Sequence, residues 1–254
     1  MINTLNESQL HKALKTFYAV QFSAQEEVQA GRWICDLVRP DGGVIEIQNK
    51  NVSSLKEKIK GLLAEKRKVT VVHPIIKQKT IKTFSKDGKE LSSRKSPKKE
   101  CLHSTLREYT GLNEFLLDKN FTLLCPEITV EERRVQSDTP QQSKNGRRRF
   151  KKAWQKTDKA LLTIGASIKL CGKKDWLGLL PKKILAAAKK GEAFCAATVK
   201  QAFVDEEKKE AAPHANILLW ILRKAGLIER IPHEGRGYYY QLSTMSSSSR
   251  FSMS

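Results

Sequence analysis

The stretch Arg32-Trp-Ile-Cys-Asp36-Leu-Val-Arg-Pro40-Asp-Gly-Gly43-Val-Ile-Glu46-Ile-Gln48-Asn-Lys50 contains two runs of alternating apolar residues that flank a group of turn formers. Proline, aspartate and two consecutive glycines favour a turn between the runs. The pattern therefore predicts a β-hairpin in which Val38 pairs with Val44. In that register the next pair on the same face is Asp36 with Glu46, with Cβ atoms about 5 Å apart.

Two carboxylates side by side repel each other unless a cation lies between them. Hard divalent cations are held in proteins by one or two carboxylates together with phosphate oxygens of the substrate. The pair therefore indicates phosphodiester chemistry, with Mg²⁺ or Mn²⁺ as the cofactor. The alternative is an incidental polar pair on a solvated hairpin face, with each carboxylate neutralised by a nearby lysine or arginine.

The composition favours a polyanionic partner. Lysine and arginine number 47 against 27 aspartates and glutamates, so the formal charge of the 254-residue chain is +20. Such a balance is typical of nucleic-acid binding, and DNA is the first choice of partner, with RNA as an alternative and a homodimer left open. No stretch approaches the roughly 20 apolar residues of a membrane span, so we expect no membrane partner and a cytoplasmic location. The five scattered cysteines are expected to be reduced thiols rather than zinc ligands.

Apolar periodicity around the hairpin predicts an αβββαβ order of elements. In the predicted register of the first two strands, Glu27 opposes Ile34 and is a surface residue. The predicted elements are a helix over 6–18, strands over 25–29, 32–38 and 44–48, a helix over 53–65 and a strand over 68–76.

The remainder of the chain divides into further segments. A hairpin and a loop over 77–99, a helix over 101–118 and a strand over 121–130 complete a first domain, residues 1–134. Residues 135–158 are rich in Ser, Gln and basic side chains and are expected to be a basic linker or loop. Three predicted helices (181–190, 196–203 and 211–225) and two strands (227–231 and 238–242) then indicate a winged helix-turn-helix domain over 159–243, followed by a disordered Ser-rich tail, 244–254. The predicted fold class is α/β with a mixed sheet.

An Asp on one strand and Glu-x-Gln on the next, within an αβββαβ core, resembles the PD-(D/E)xK nuclease superfamily with its restriction-endonuclease-like fold. The resemblance is clearest over residues 7–76, and the whole chain also resembles bacterial proteins with this two-part layout. The resemblance implies that Asp36 and Glu46 are metal ligands, with the backbone carbonyl of Ile47 as a third. It also implies that Glu7, on the first helix, reaches the metal through water, although a first-turn residue favoured by the helix dipole is the simpler interpretation.

The sequence departs from the superfamily pattern at Gln48, where Lys is the commonest residue. A neutral amide can orient water but cannot take up a proton or offset phosphate charge. Lys50, two residues further along the predicted strand, would project from the same face and supply the missing charge. The histidines, His11 among them, are assigned no role.

Three clusters of basic residues are candidates for contacts with nucleic acid. For the cluster at residues 147–152, a solvated basic loop is the alternative. The C-terminal candidates assume a winged helix that binds DNA, although winged helices also serve protein contacts. The candidates are Arg94, Lys95, Lys98 and Lys99; Arg147, Arg148, Arg149, Lys151 and Lys152, with Trp154 stacking on a base; and Arg223, Lys224 and Arg236.

These observations together predict a metal-dependent DNA endonuclease targeted by a winged helix. The first alternative is a non-catalytic DNA-binding or regulatory protein that retains a decayed nuclease fold, which Gln48 favours. A further alternative is an adaptor whose winged helix binds protein.

Overall fold

The computed structural model describes residues 8–142, 149–234 and 237–243. Helix α1 spans Gln9–Gln21 and begins at Ser8, whose hydroxyl accepts the backbone N–H of His11. This hydroxyl satisfies one of the N–H groups that the first turn of a helix leaves unpaired. Leu10, Leu14 and Tyr18 are buried on one face of the helix, as their spacing predicts.

Three antiparallel strands follow α1, namely β1 (Gln25–Ala30), β2 (Trp33–Val38) and β3 (Val44–Ile47). Val38 pairs with Val44, so the predicted register of the hairpin between β2 and β3 is confirmed. The predicted pairing of Glu27 with Ile34 is wrong, because Ile34 pairs with Gln29. The tight turn begins at Gly31, which has a φ of 60°, and this turn places Glu27 opposite Asp36.

The next elements are a 3₁₀ helix (Val52–Leu55), α2 (Lys56–Ala64) and β4 (Val69–Val72). The order from α1 to β4 is the predicted αβββαβ. The strand predicted over 68–76 is divided, because β4 ends before His73-Pro74 and β5 (Ile75–Phe84) begins after them. Proline cannot donate a ladder hydrogen bond. Strand β6 (Glu90–Lys95) forms the expected hairpin with β5.

The helix predicted over 101–118 is wrong in extent. The structure has a single turn, α3 (Leu102–Thr105), and then a 3₁₀ helix, Leu106–Leu112. The hydroxyls of Thr105 and Thr110 bond to carbonyls three residues earlier, those of Leu102 and Arg107. Such local bonds compete with α-helical bonds, and the glycine at 111 disfavours a longer helix.

Two long strands, β7 (Phe121–Gln141) and β8 (Lys152–Leu170), pair with each other and correct the prediction of a linker over 135–158. Strand β7 also runs through Pro126 without a break. Its registered pairs with β5 begin at Glu127, one residue later. The Ser- and Gln-rich composition suggested a loop, but strand pairing overrides weak local preferences.

The large sheet has eight strands in the order β1-β2-β3-β4-β7-β5-β6, with β8 beside β7. Strands β5 and β7 are parallel, whereas the hairpin pairs β1/β2, β2/β3 and β5/β6 are antiparallel. The fold is therefore α/β with a mixed sheet, as predicted.

The C-terminal part contains helices and a small sheet of three strands in the order β10-β11-β9. The three predicted helices and two strands are confirmed. Helix α4, strand β9 and the short 3₁₀ helix were not predicted. Helix α7 ends before Gly226, whose φ is 76°. The elements are α4 (Gly172–Leu177), α5 (Lys182–Lys189), β9 (Phe194–Cys195), α6 (Ala196–Asp205), a 3₁₀ helix (Ala212–His214), α7 (Ala215–Lys224), β10 (Ile228–Ile231) and β11 (Tyr239–Leu242).

The chain divides into two compact units, each built from three segments. The first unit consists of residues 1–49, 72–100 and 125–168, and the second of 50–71, 101–124 and 169–254. These units differ from the predicted domains 1–134 and 159–243, because neither unit is continuous along the chain. Each has its own apolar core, with Leu14 and Leu37 fully buried in the first and Trp176 and Phe203 in the second.

Across the ranges that the structure describes, every helix falls short of the length and apolarity needed to cross a membrane.

Candidate functional site

Five polar side chains of the first unit, contributed by α1 and strands β1 to β3, make up what we call the hairpin cluster: His11, Lys15, Glu27, Asp36 and Glu46. His11 and Lys15 are four residues apart on α1 and so lie on the same side of the helix. Each directly follows a buried leucine, Leu10 or Leu14. That position at the border of the apolar face is the signal that could have identified them from sequence.

His11 and Asp36 are in contact, although no role was expected for His11. The Nε2 of His11 lies 3.3 Å from Oδ2 of Asp36 and 2.8 Å from the carbonyl oxygen of Ile47. The same Oδ2 accepts the backbone N–H of Ile47 at 2.8 Å. Because a carbonyl oxygen can only accept, Nε2 carries the proton in this arrangement. The imidazole therefore faces two of the oxygens that the sequence assigned to a metal.

Glu46 lies beside Asp36, as the register predicts. Its Oε1 is 3.3 Å from the backbone N–H of Asp36, which donates to it. Only 3% of Glu46 is exposed, so the alternative of a solvated hairpin face does not hold for this residue. A buried carboxylate next to a second carboxylate is a costly arrangement that a purely structural surface pair does not need.

Lys15 and Glu27 form a partly buried ion pair in the same cluster. Their Nζ and Oε1 atoms are 2.8 Å apart, and the side chains are 5% and 27% exposed. Glu27 also has a φ of 55°, a left-handed conformation that costs energy for a residue other than glycine. The expected surface residue is therefore a strained partner of a buried lysine.

The donor atoms that lie together are the Asp36 carboxylate, the Ile47 carbonyl and the His11 imidazole. Among residues 8–142, 149–234 and 237–243, no three His, Cys, Asp or Glu side chains are arranged to hold a metal ion. A metal at the hairpin cluster would thus rely on two side chains at a time and a backbone oxygen. Oxygen donors with one imidazole suit Mn²⁺ better than Mg²⁺, which prefers oxygen alone.

Two further predicted site residues, Gln48 and Lys50, lie just beyond the end of β3. Gln48 is half-buried directly after the strand, and its backbone N–H donates to the carbonyl of Val72 at 2.9 Å. Lys50 is exposed in a bend beyond the last strand residue, Ile47. The prediction that Lys50 continues the strand and shares the face of Glu46 is wrong. Glu7 lies outside the described residues.

The first basic cluster is exposed at one edge of the large sheet. Arg94 and Lys95 lie on β6, and Lys98 and Lys99 lie in the loop after it. Within the described part of the chain, none of these four side chains forms an ion pair with a carboxylate. The lysines of β5, by contrast, are paired with glutamates of β7, as in the 3.0 Å contact between Lys82 and Glu131.

The second basic cluster is only partly described. Arg149 and Lys151 are exposed, and Lys152 belongs to β8. The ring of Trp154 is already covered by cations, with the Arg134 guanidinium 3.6 Å and Lys152 Nζ 4.4 Å from its centroid. A base stacking on Trp154, as predicted, would have to compete with these contacts. Arg147, Arg148 and Arg236 lie outside the described residues.

The remaining basic candidates end helix α7. Arg223 is half-buried and Lys224 is exposed, with its Nζ 5.8 Å from the ring centroid of Trp220. Cations in the last turn also interact favourably with the helix dipole, so their position has a structural reason of its own.

The chain has relatives among known sequences. Residues 8–171 match the model of a domain of unknown function, DUF8091. An uncharacterized protein of Treponema pallidum (strain Nichols) is 32% identical over 236 residues, which are 93% of this chain and 84% of that protein. No solved structure matches. Since the family model covers more than half of the chain, including the whole hairpin cluster, the protein belongs to the DUF8091 family.

Proposed function

We propose that the protein is a metal-dependent DNA endonuclease of the PD-(D/E)xK type, with the hairpin cluster as its active site. The observation that carries the proposal is the contact of Asp36 Oδ2 and the Ile47 carbonyl with the His11 imidazole, 3.3 and 2.8 Å away, beside the buried Glu46. The αβββαβ order and the register of Val38 with Val44 are the expected frame of such a site. Buried or half-buried titratable groups gathered in one place are typical of active sites.

The metal would be held by the carboxylates of Asp36 and Glu46 and by the Ile47 carbonyl. His11 faces two of these oxygens and, once its proton has moved to Nδ1, would be a nitrogen donor in place of Glu46. A bound divalent ion supplies an activated water and offsets charge on the phosphate. Gln48 can hydrogen-bond that water but cannot remove its proton.

The hairpin cluster contains one lysine, Lys15, which is paired with Glu27. Because only 5% of the Lys15 side chain is exposed, we assign it the role of a positioning residue rather than one that touches the substrate. Its charge would hold Glu27 and offset the negative charge that collects on the three strands.

DNA would be bound by basic surfaces of the protein. The exposed side chains Arg94, Lys95, Lys98 and Lys99 form no ion pair among the described residues and so are available to phosphates. We also propose a winged helix-turn-helix in the second unit, on the basis of the order α5, β9, α6, α7, β10, β11 and the sheet order β10-β11-β9.

The test is cleavage of linear, nicked, branched and single-stranded DNA in Mg²⁺ or Mn²⁺, combined with Mn²⁺ binding measured by electron paramagnetic resonance. We expect Asp36→Asn and Glu46→Gln to lower cleavage by about 100-fold or more, since each removes charge at a site of electrostatic stabilisation. His11→Ala should weaken Mn²⁺ binding more than Mg²⁺ binding. Asp87→Asn, in the exposed turn between β5 and β6, is the matched control. Cleavage that survives Asp36→Asn would rule out this active site.

A second function is favoured by one observation, the hydrogen-bonded state of the Asp36 carboxylate. Its Oδ2 already accepts the Ile47 N–H and contacts His11, and Gln48 replaces the usual lysine. A protein that retains the fold to bind DNA without cutting it would have these features. This second function predicts equal DNA affinity with and without Mn²⁺. It also predicts no cleavage of linear, nicked, branched or single-stranded DNA.

A further inference from the structure

A cleft of about 940 Å³ lies in the second unit, between α7 and the 3₁₀ helix Leu106–Leu112. Its volume lies within the range of pockets that hold small ligands. The side chains that matter for its chemistry come from three separate segments of the chain: Ser53, Arg107, Glu108, His214, Asn216 and Trp220.

The wall formed by the 3₁₀ helix is held in place by hydrogen bonds to residues 51–53. The Glu108 carboxylate accepts the backbone N–H of Asn51 at 2.6 Å, and Ser53 Oγ donates to the Glu108 carbonyl at 3.3 Å. Gly111 permits this approach, because a Cβ there would lie 2.5 Å from Ser53 Oγ. The cleft is therefore preformed rather than dependent on a flexible loop.

Among the lining residues there is one cation, Arg107, and one carboxylate, Glu108, whose side chain bonds to backbone N–H groups. Glu108 is engaged with backbone N–H groups, whereas Arg107 is exposed and forms no ion pair with any residue that the structure describes. Burial lowers the pKa of His214, and the charge of Arg107 lowers it further. At neutral pH the histidine is thus a neutral hydrogen-bonding group, and Arg107 is the cation available to an anion.

The opposite wall offers an aromatic ring and an amide. Trp220 is half-buried on α7, and Asn216, one turn earlier on the same side, is exposed. Aromatic rings stack on nucleobases of any sequence, and amides hydrogen-bond base edges. A cation, an aromatic ring and an amide in one cleft match the phosphate and base of a nucleotide.

The cleft itself suits a single nucleotide rather than a duplex. Its α7 wall, with Asn216 and Trp220, lies across the cleft from the 3₁₀ helix Leu106–Leu112. A recognition helix must present an open face to enter the major groove of about 12 Å width. An unstacked nucleotide, by contrast, is small enough to enter the cleft.

We propose that this cleft binds one unstacked nucleotide of a single-stranded nucleic acid, with the base at Trp220 and the phosphate at Arg107. The inference rests on the proposed nucleic-acid partner but not on the metal site. It can therefore be tested in EDTA, where failure of the nuclease proposal has no influence on the result.

The experiment measures binding of a fluorescein-labelled single-stranded octanucleotide to the full chain in EDTA at fixed salt. We expect Arg107→Ala and Trp220→Leu each to weaken binding by about tenfold or more, since stacking and phosphate contacts have this magnitude. Trp220→Phe keeps an aromatic ring and should stay within about threefold of the wild type. The matched control is Lys200→Ala, an exposed cation on α6 outside the cleft, which should bind like the wild type.

Competition identifies the ligand class. A nucleoside 5′-monophosphate should displace the octanucleotide at concentrations where inorganic phosphate and the nucleoside do not. The proposal is overturned if Arg107→Ala and Trp220→Leu bind like the wild type, or if Trp220→Phe loses as much affinity as Trp220→Leu. It is also overturned if inorganic phosphate competes as well as the nucleotide, or if Lys200→Ala weakens binding as much as the cleft variants.

Discussion

Two buried glutamates of the large sheet, Glu46 and Glu132, are 3% and 6% exposed and yet have different surroundings. Glu132 lies on β7 among three cations, with Arg134 Nε at 2.8 Å, Lys79 Nζ at 3.3 Å and Lys156 Nζ at 3.8 Å. Burial raises the pKa of its carboxyl, but the hydrogen bonds and charges of Arg134 and Lys79 outweigh burial and leave the pKa below its ordinary value.

Glu46 instead accepts the backbone N–H of Asp36 on the neighbouring strand. Two carboxylates on neighbouring strands repel each other when both are charged. A buried acid surrounded by cations is accounted for by folding alone. Glu46 is buried beside a residue of the proposed active site, and this contrast with Glu132 guides the predictions below.

The largest effect on stability is expected at Glu132. Glu132→Gln would leave Lys79, Arg134 and Lys156 without their common partner, and we expect the free energy of unfolding to fall by about 1–3 kcal/mol. Glu46→Gln would remove repulsion with Asp36 and should change the free energy of unfolding by less, or increase it. Urea denaturation followed by circular dichroism compares the two variants with the wild type.

The pH dependence of stability is the control for this interpretation. Because the pKa of Glu132 is lowered on folding, its contribution is complete above its ordinary pKa and is lost as the pH falls through the lowered value. The wild type should therefore lose stability on acidification below about pH 4.5 more steeply than Glu132→Gln. Equal slopes for the two proteins, or a greater loss of stability in Glu46→Gln, would contradict the comparison.

A smaller effect is expected from the ion pair between Lys15 and Glu27. Lys15→Met keeps most of the buried volume but leaves Glu27, which is 27% exposed, without its cation. We expect a loss of about 1–2 kcal/mol in the free energy of unfolding, less than a fully buried pair would give. Thermal and urea unfolding of the Lys15→Met and Glu27→Gln single variants measure this loss of stability.

The double variant Lys15→Met with Glu27→Gln separates pairing from packing. If the loss comes from the unpaired carboxylate, the double variant should recover most of the stability of the wild type. Additive losses would mean that Lys15 acts through packing alone. Cleavage assays on the double variant then show whether the cluster needs the charge of Lys15 for activity.

The sequence was sufficient to predict the strand pairing of the hairpin cluster but not all of its residues. Turn chemistry at Pro40 to Gly43 and strand alternation determined the pairing of Val38 with Val44, and hence of Asp36 with Glu46. His11 and Lys15 were missed because their partners are 36 and 12 residues away in sequence. No local pattern records such contacts.

The cleft in the second unit could not be predicted from the sequence either, because residues distant in sequence form it. Its walls come from residues near 53, 107 and 216, and the middle segment was predicted as an ordinary helix. Strand β8 was missed because its alternation is weak: it is exposed along most of its length, and Lys156 and Asp158 interrupt the apolar residues. Pairing with β7, rather than local propensity, makes it a strand.

The smallest effect is expected at Lys50, which the sequence assigned to the active site. Strand β3 ends at Ile47, and Lys50 is exposed in the bend that follows. Exposed lysines contribute through a flexible, hydrated charge, so Lys50→Ala should change the cleavage rate by less than about twofold. Gln48→Lys places a cation directly after the strand and should raise the rate more than Lys50→Ala lowers it. A Lys50→Ala loss as large as that of Asp36→Asn would return Lys50 to the active site, and with it the idea that sequence spacing along β3 is enough to identify the catalytic set.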